Sequence, residues 1–273
     1  MSGLATKLQQ MQVHAKKSLG QNFLKSKTAL LAMIKAGEIT SSDNVLEIGP
    51  GQGALTEKVL ETGAKVIAVE KDDRLIDLLS EKFALEIGKG QFTLIHGDIL
   101  ELNLNSMGFK TVDYKLIANI PYYITGLIFR KILSGDVQPS KLVIMVQKEI
   151  ADRIIARDDK ESLLSLSVKA YGTAKKIMKV NKENFSPKPK VDSAILLVDS
   201  ISKNFFKEIN EEKFFEIIKI GFAHKRKMLI ANLREKFGQN DLQKIFQALK
   251  IPEKARSEDL KLEDWKKLIQ HIY

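Results

Sequence analysis

No cysteine occurs in the 273 residues, so disulfides, thiolate nucleophiles and zinc–cysteine sites are all excluded. Histidine is scarce too: the four, at 14, 96, 224 and 271, show none of the spacing that metal ligation requires, and no metal site is expected. No run approaches the ~18 to 20 consecutive apolar residues of a membrane span, and the N-terminus lacks the apolar core of a signal peptide. The expectation is a cytoplasmic monomer without membrane contact. Acidic residues are missing from positions 1 to 27, which hold five lysines, among them Lys16 and Lys17. Residues 28 to 202 carry 23 charges of each sign and residues 203 to 273 carry 16 basic against 11 acidic, so the net charge of +10 sits at the two ends. A solvated face accounts for a charge run without any partner. A neutral centre with cationic ends also suits a catalytic body with phosphate-gripping extensions.

From about residue 43 short β-rich runs alternate with amphipathic stretches, the pattern of strand and helix units around a parallel sheet. Strands are expected at 44–48, 65–70, 92–96, 114–118, 141–147 and 194–199, and helices at 55–61, 74–83, 124–133 and 148–156. After Asp199 the pattern turns wholly helical, with Phe214, Phe215, Ile217, Ile218 and Phe222 on one apolar face. The division expected is a basic arm over 1–27, a catalytic domain over 28–202 and a basic helical domain over 203–273.

The segment Val45 to Leu55 reads as an apolar strand, a turn with Gly49, Gly51 and Gly53, and a helix start. Such a turn lets backbone approach a ligand, though a glycine turn alone is also an ordinary structural feature. Glu70 ends the next strand, where a carboxylate can accept ribose hydroxyls. A dinucleotide enzyme shares both features, and spacing does not separate the two, since Ala54 is an allowed third position of that fingerprint. The third strand ends in Gly97-Asp98, and Asp98 could accept an adenine amino group or simply cap a helix. A glycine turn, a ribose acid and an adenine acid on consecutive strand ends is the arrangement of S-adenosylmethionine-dependent methyltransferases.

The fourth strand ends in Asn119-Ile120-Pro121-Tyr122. An aromatic exocyclic amine is a poor nucleophile because its lone pair is delocalised into the ring. Two acceptors, the Asn119 side-chain oxygen and the Ile120 carbonyl, can draw the nitrogen toward tetrahedral geometry. Pro121 keeps Ile120 extended, and Tyr122 can stack on a base. In isolation the tetrapeptide is equally a turn after a strand.

With these residues in place, the sequence resembles the ribosomal small-subunit (16S) rRNA adenine N6,N6-dimethyltransferases. The resemblance rests on Leu19 to Leu24, Glu47 to Leu55, Glu70, Gly97-Asp98, Asn119 to Tyr122, Val146 to Arg153 and Asn184 to Ala194, in the family's order along almost the whole chain. It implies a Rossmann-like doubly wound α/β methyltransferase domain with a small all-helical C-terminal domain. The implied cofactor is S-adenosyl-L-methionine and the implied partners are 16S rRNA and the precursor of the small ribosomal subunit. It further implies that Gln21, Asn22 and Leu24 help close over the cofactor and that Phe185 faces Tyr122 across the target base. Read by itself, Phe185 would belong to the core and Gln21-Asn22 to a loop. Lys225, Arg226 and Lys227 match the family's basic segment, while Met228 stands where a threonine is usual. The implied product is dimethyladenosine at two adjacent positions near the 3′ end. Rivals are a large-subunit rRNA methyltransferase, an assembly factor without turnover and a small-molecule methyltransferase; the last leaves the cationic ends unexplained.

Overall fold

A computed structural model describes residues 14–273, so part of the expected basic arm, and the Lys17 side chain, lie outside the described residues. The chain runs β1 (Phe23–Leu24), α1 (Lys27–Gly37), β2 (Asn44–Ile48), α2 (Ala54–Leu60), β3 (Lys65–Glu70), α3 (Asp73–Lys82), α4 (Ala84–Gly88) and β4 (Phe92–His96). There follow β5 (Tyr114–Ala118), α5 (Thr125–Ser134), β6 (Lys141–Gln147), α6 (Lys148–Ile154), α7 (Leu163–Lys169), β7 (Thr173–Val180), β8 (Phe185–Ser186) and β9 (Ser193–Asp199). Helices α8 (Glu211–Gly221), α9 (Leu229–Leu233), α10 (Gln239–Ala248) and α11 (Leu262–Ile272) complete it.

Seven strands form one sheet in the order β4-β3-β2-β5-β6-β9-β7. Neighbours from β4 to β6 are parallel, and β9 returns antiparallel to β6. Four of the five residues of β2 and five of the seven of β6 are buried, the near-continuous apolar run of a strand covered on both faces. Ala29, Leu30 and Met33 of α1, Leu55 and Val59 of α2 and Leu75 and Leu79 of α3 join one core with the strands. The strand order reverses between β2 and β5, and the crevice at such a switch point, beyond the strands' C-terminal ends, is where open α/β sheets take ligands. Both turns singled out in the sequence leave from those two strands, whose last residues pair as Ile48↔Ala118.

Two compact units share the described residues: those up to 151 with 175–201, and 152–174 with 202–273. The linear division expected at residue 202 therefore differs from the structure over 152–174, which clusters with the C-terminal helices. The reason is packing. Leu166 and Ala170 belong to the helical core with Phe214, Ile217, Leu229 and Trp265, and the Tyr171 ring lies 5.1 Å from that of Phe206. Buried Glu161 ties the segment internally, accepting from Ser165 Oγ at 2.6 Å and Lys169 Nζ at 2.6 Å.

On α8, Phe214, Ile217 and Ile218 are fully buried, and the Phe222 ring just beyond stacks on that of Trp265 at 5.8 Å. A Cβ on Gly221 would stand 2.3 Å from Trp265 Cη2, so only glycine lets the indole seat there. Met228 occupies the N-cap of α9 with extended dihedrals and supplies no side-chain cap. A threonine hydroxyl there can accept an orphan N–H of the first turn. Met228→Thr is therefore expected to raise stability by about 1 kcal/mol, read as a higher denaturation midpoint at unchanged denaturant dependence.

Candidate active site

A cavity of about 160 Å³ opens at the switch point. Its walls come from the ends of β2, β3, β4 and β5 and from the 19–25 segment. Of the residues expected to act, it gathers Gln21, Asn22, Leu24, Gly49, Gly51, Glu70, Asp98, Asn119, Ile120 and Pro121. Tyr122, Phe185 and the basic residues are not among its lining.

The turn after β2 is held open by backbone geometry. Gly49, Gly51 and Gly53 all have positive φ, at 66°, 59° and 77°. A Cβ on Gly51 would come 3.0 Å from the Phe23 ring, and one on Gly53 would come 2.6 Å from Phe83. The third glycine is thus required by packing at the start of α2, Gly51 by its positive φ and the nearby Phe23 ring, and Gly49 by its positive φ alone. Glu70 staples this turn to β3: Oε2 accepts the Gly51 N–H at 3.1 Å, and Oε1 accepts those of Lys71 and Asp72 at 2.9 and 2.8 Å. Burial raises its pKa, against which these three backbone donors work. A carboxylate has about four acceptor positions, so one remains here, where accepting both hydroxyls of a ribose would need two.

Asp98 takes the turn role, one of the two that the sequence left open. Oδ1 accepts the Leu100 N–H at 2.9 Å as a turn residue, and Oδ2 meets Lys71 Nζ at 2.7 Å. That lysine holds the carboxyl below its ordinary range. The lysine side chain is 62% exposed, so the pair is cheap to rearrange and Oδ2 can turn to a ligand amine.

Gln21 reaches across to β3's loop: Nε2 donates to Asp72 Oδ2 at 2.8 Å, and Oε1 accepts the Lys16 N–H at 2.8 Å. Arg74, foremost, lowers the Asp72 pKa to about 2. Asn22 donates to the Gly20 carbonyl at 3.1 Å, and its own carbonyl accepts from Asn119 Nδ2 at 3.4 Å. Asn119 thus spends its donor on the 19–25 segment, leaving Oδ1 as an acceptor. Pro121 follows at φ −55°, ψ 136°.

Tyr122 is half-buried, its hydroxyl 2.5 Å from Ser193 Oγ. Phe185 is 4% exposed and pairs with Leu24 in the small β1–β8 sheet, so it sits in the core, as the residue by itself suggested. Two aromatic rings line the cavity, Phe23 and Tyr123; Tyr123, 66% exposed, was passed over by sequence reasoning. No spacing rule marks it; only the 3₁₀ turn at 122–124, which carries successive side chains to different sides, separates the neighbours. Tyr123→Ala is expected to raise the KM for RNA about tenfold, in line with the ~1 to 3 kcal/mol of a stacked base, while Tyr123→Phe stays near wild type. Steady-state kinetics with RNA varied would decide it.

Glu47 was not singled out beforehand. It is fully buried at the back of the cavity, and neither carboxyl oxygen has a hydrogen-bond partner among the described residues. Buried Thr56 lies near enough to lower its pKa in part but outside good hydrogen-bond geometry. Burial dominates and pushes the pKa up to about 8. The unfolded chain therefore releases this proton first, near 4.5, and ionisation favours unfolding from there up to about 8. Stability should fall as pH rises through that window, by at most a few kcal/mol for this group. Glu47→Gln should flatten the fall, read from denaturation midpoints at pH values spanning it.

In the second unit, Lys225, Arg226 and Lys227 are exposed on the turn-rich connection between α8 and α9, and not on a helix face. Buried Asn232 pins this connection, donating to the carbonyls of Gly221 at 2.5 Å and His224 at 3.2 Å. Lys227 lies 3.7 Å from Glu235.

The family model described as ribosomal RNA adenine dimethylase matches residues 12–273. The chain belongs to that family. It is 40% identical over 256 residues to ribosomal RNA small subunit methyltransferase A of Dehalococcoides mccartyi, covering 93% of this chain and 87% of that protein. The protein of the same name from Clostridium acetobutylicum is 37% identical over 260 residues, 94% of this chain and 93% of that one. Among solved structures, a dimethyladenosine transferase of Plasmodium falciparum superposes with a TM-score of 0.78 at 30% identity, covering 90% of this chain and 95% of that one. The 23S rRNA methyltransferase ErmE superposes at 0.73 with 22% identity, covering 92% of this chain and 99% of that one, a likeness of fold. This family member is an S-adenosylmethionine-dependent adenine dimethyltransferase with the Rossmann-like α/β fold. The cavity fits the cofactor: a glycine cradle in which Gly51 has positive φ and a Cβ would press on the Phe23 ring, and the carboxyls of Glu70 and Asp98 at strand ends around a ligand that carries hydroxyl and amino groups. No described helix is long and apolar enough to cross a membrane.

Proposed function

We propose that the chain methylates the N6 amines of two adjacent adenosines near the 3′ end of 16S rRNA during assembly of the small ribosomal subunit, giving N6,N6-dimethyladenosine, as a cytoplasmic monomer. The observation that carries this reading is the Asn119 amide at the end of β5, its donor used by Asn22 and its oxygen left to accept, inside the cavity that the cofactor motif lines. The small-subunit target is supported by relatives bearing that name along nearly the whole chain.

S-adenosylmethionine supplies an electrophilic methyl group when bound. Gln21, Asn22, Leu24, Gly49 and Gly51 would enclose it, with Glu70 accepting from a ribose hydroxyl and Asp98 from the adenine amino group. Asn119 Oδ1 and the Ile120 carbonyl each accept one N–H of the substrate amine, which localises its lone pair. Pro121 fixes the angle between them, and Tyr122 supports the base from its anchored position. Phe185 acts as a positioning residue by backing Leu24. No shifted general base is needed, since the cationic product amine loses its proton to water. Positioning is the main catalytic contribution. Lys16, Lys17, Lys225, Arg226 and Lys227 grip RNA phosphates, with catalysis in the first unit.

The test supplies labelled cofactor with unmethylated small or large subunits and maps the modified nucleosides. Dimethyladenosine in small-subunit RNA is the expected result; label confined to large-subunit RNA would overturn the target.

A further inference from the structure

We propose that the sheet edge at β7, together with the 182–190 loop, is a further RNA-gripping surface that takes the phosphate backbone beside the target nucleotide. The proposal rests on the reading of the protein as an rRNA methyltransferase and adds to it a surface outside the two cationic ends.

Over residues 173–192 there are six lysines and two acids, a concentration that the even balance of 28–202 conceals. Strand β7 is the last of the seven, so one of its edges has no neighbour in the sheet. Thr173, Lys175, Ile177 and Lys179 are its exposed residues on one face, and two-residue steps of ~3.3 Å per residue set the lysines about 13 Å apart. The strand then runs into the loop, where Asp192 gathers the next charges: its Oδ2 meets Lys179 Nζ at 2.8 Å and its Oδ1 accepts the Lys182 N–H at 3.1 Å. Exposed Lys188 and Lys190 follow, the first paired with Glu183 at 2.6 Å. Lys175, Lys182 and Lys190 make no ion pair among the described residues.

This cationic run ends at the active site. The Asn184 carbonyl accepts the Lys25 N–H at 2.8 Å, and β8 pairs with β1, whose Phe23 and Leu24 line the cavity along with Lys25. A strand of RNA with one nucleotide in the cavity would thus have its neighbouring phosphates within reach of Lys25, Lys182 and Lys190, and those farther along over Lys179 and Lys175. Phosphate is the chemistry that such a row suits: a succession of ammonium groups, most of them exposed, with few acids between them.

Edge strands also carry lysine merely to prevent strand-to-strand association, and the two explanations separate on charge sign. Glutamate guards an edge as well as lysine does, whereas a phosphate track is reversed by it. The experiment uses the full chain with saturating S-adenosylmethionine. Binding of wild type and of Lys175→Glu/Lys182→Glu/Lys190→Glu to unmethylated small subunits is measured over a salt series, with the matching glutamine variant alongside. The expected result is at least a roughly tenfold loss of affinity at low salt and a salt slope flatter by about 2, from ~0.7 to 0.9 per lost contact. The glutamine variant should fall between, with cofactor affinity unchanged in both. A folded glutamate variant whose salt curve overlays wild type overturns the track. If wild type grips only large subunits, the target proposed above fails instead, and the same slopes measured on large subunits decide the track.

Discussion

Replacing Asn119 with alanine should lower the rate of methyl transfer about 100- to 1,000-fold, the scale of losing one preorganised hydrogen-bonding group aimed at a developing charge. The loss should fall on kcat and kcat/KM alike, because the Oδ1 contact strengthens only as the amine becomes cationic. Cofactor affinity should change by no more than a few fold. The donor side of the amide meets only the Asn22 carbonyl, at 3.4 Å, a weak bond at the edge of acceptable geometry. Asn119→Asp sharpens the test, since it keeps an acceptor and loses the donor to Asn22. Single-turnover rates with excess enzyme separate chemistry from binding. A near-normal rate in folded Asn119→Ala would remove the amide from the reaction.

Glu70→Ala is expected to weaken S-adenosylmethionine binding by about 10- to 100-fold, one charge-assisted hydrogen bond being worth ~1.5 to 3 kcal/mol. The structure adds a second consequence that the strand-end position alone does not reveal. Removing the carboxylate also strands the N–H groups of Gly51, Lys71 and Asp72, so the glycine turn should loosen. Cofactor binding to the alanine variant should therefore show a larger entropic penalty than binding to wild type, and Glu70→Gln, which keeps one oxygen, should be intermediate. Calorimetry reads both affinity and its components. Wild-type affinity in a folded variant would take Glu70 out of the site.

Much of the sheet was legible because its strands are buried on both faces and bounded by turns. Five of the six expected strands have the expected bounds, and the last begins one residue earlier, at Ser193. Strand β7 was missed for a physical reason: Ile177 lies on its exposed side and Lys176 on its half-buried side, so polarity does not alternate with the backbone. Helix α1 was missed because its start is marked only by Ser26, whose hydroxyl accepts the Ala29 N–H, with no acidic residue in the first turn. In the site, the glycine turn, Glu70, Asp98 and Asn119 could be found because each ends a strand, and parallel strands bring such ends together. Glu47 and Tyr123 could not. One sits within a strand, where an acid reads as polar alternation, and the other stands beside Tyr122, from which only the local turn distinguishes it. The grouping of 152–174 with the last helices is a matter of long-range packing, for which short apolar helices leave no mark in sequence.

The pairing of Ile48 with Ala118 has a consequence for how the enzyme should fail on heating. The turn proposed to cradle the methyl donor and the turn proposed to hold the acceptor amine leave adjacent central strands, locked by five consecutive residue pairs between β2 and β5. Central strands open only with the sheet as a whole. Alignment of the two reacting partners is thus as durable as the core itself. Heat inactivation of the chemical step should coincide with global melting of the first unit and not precede it.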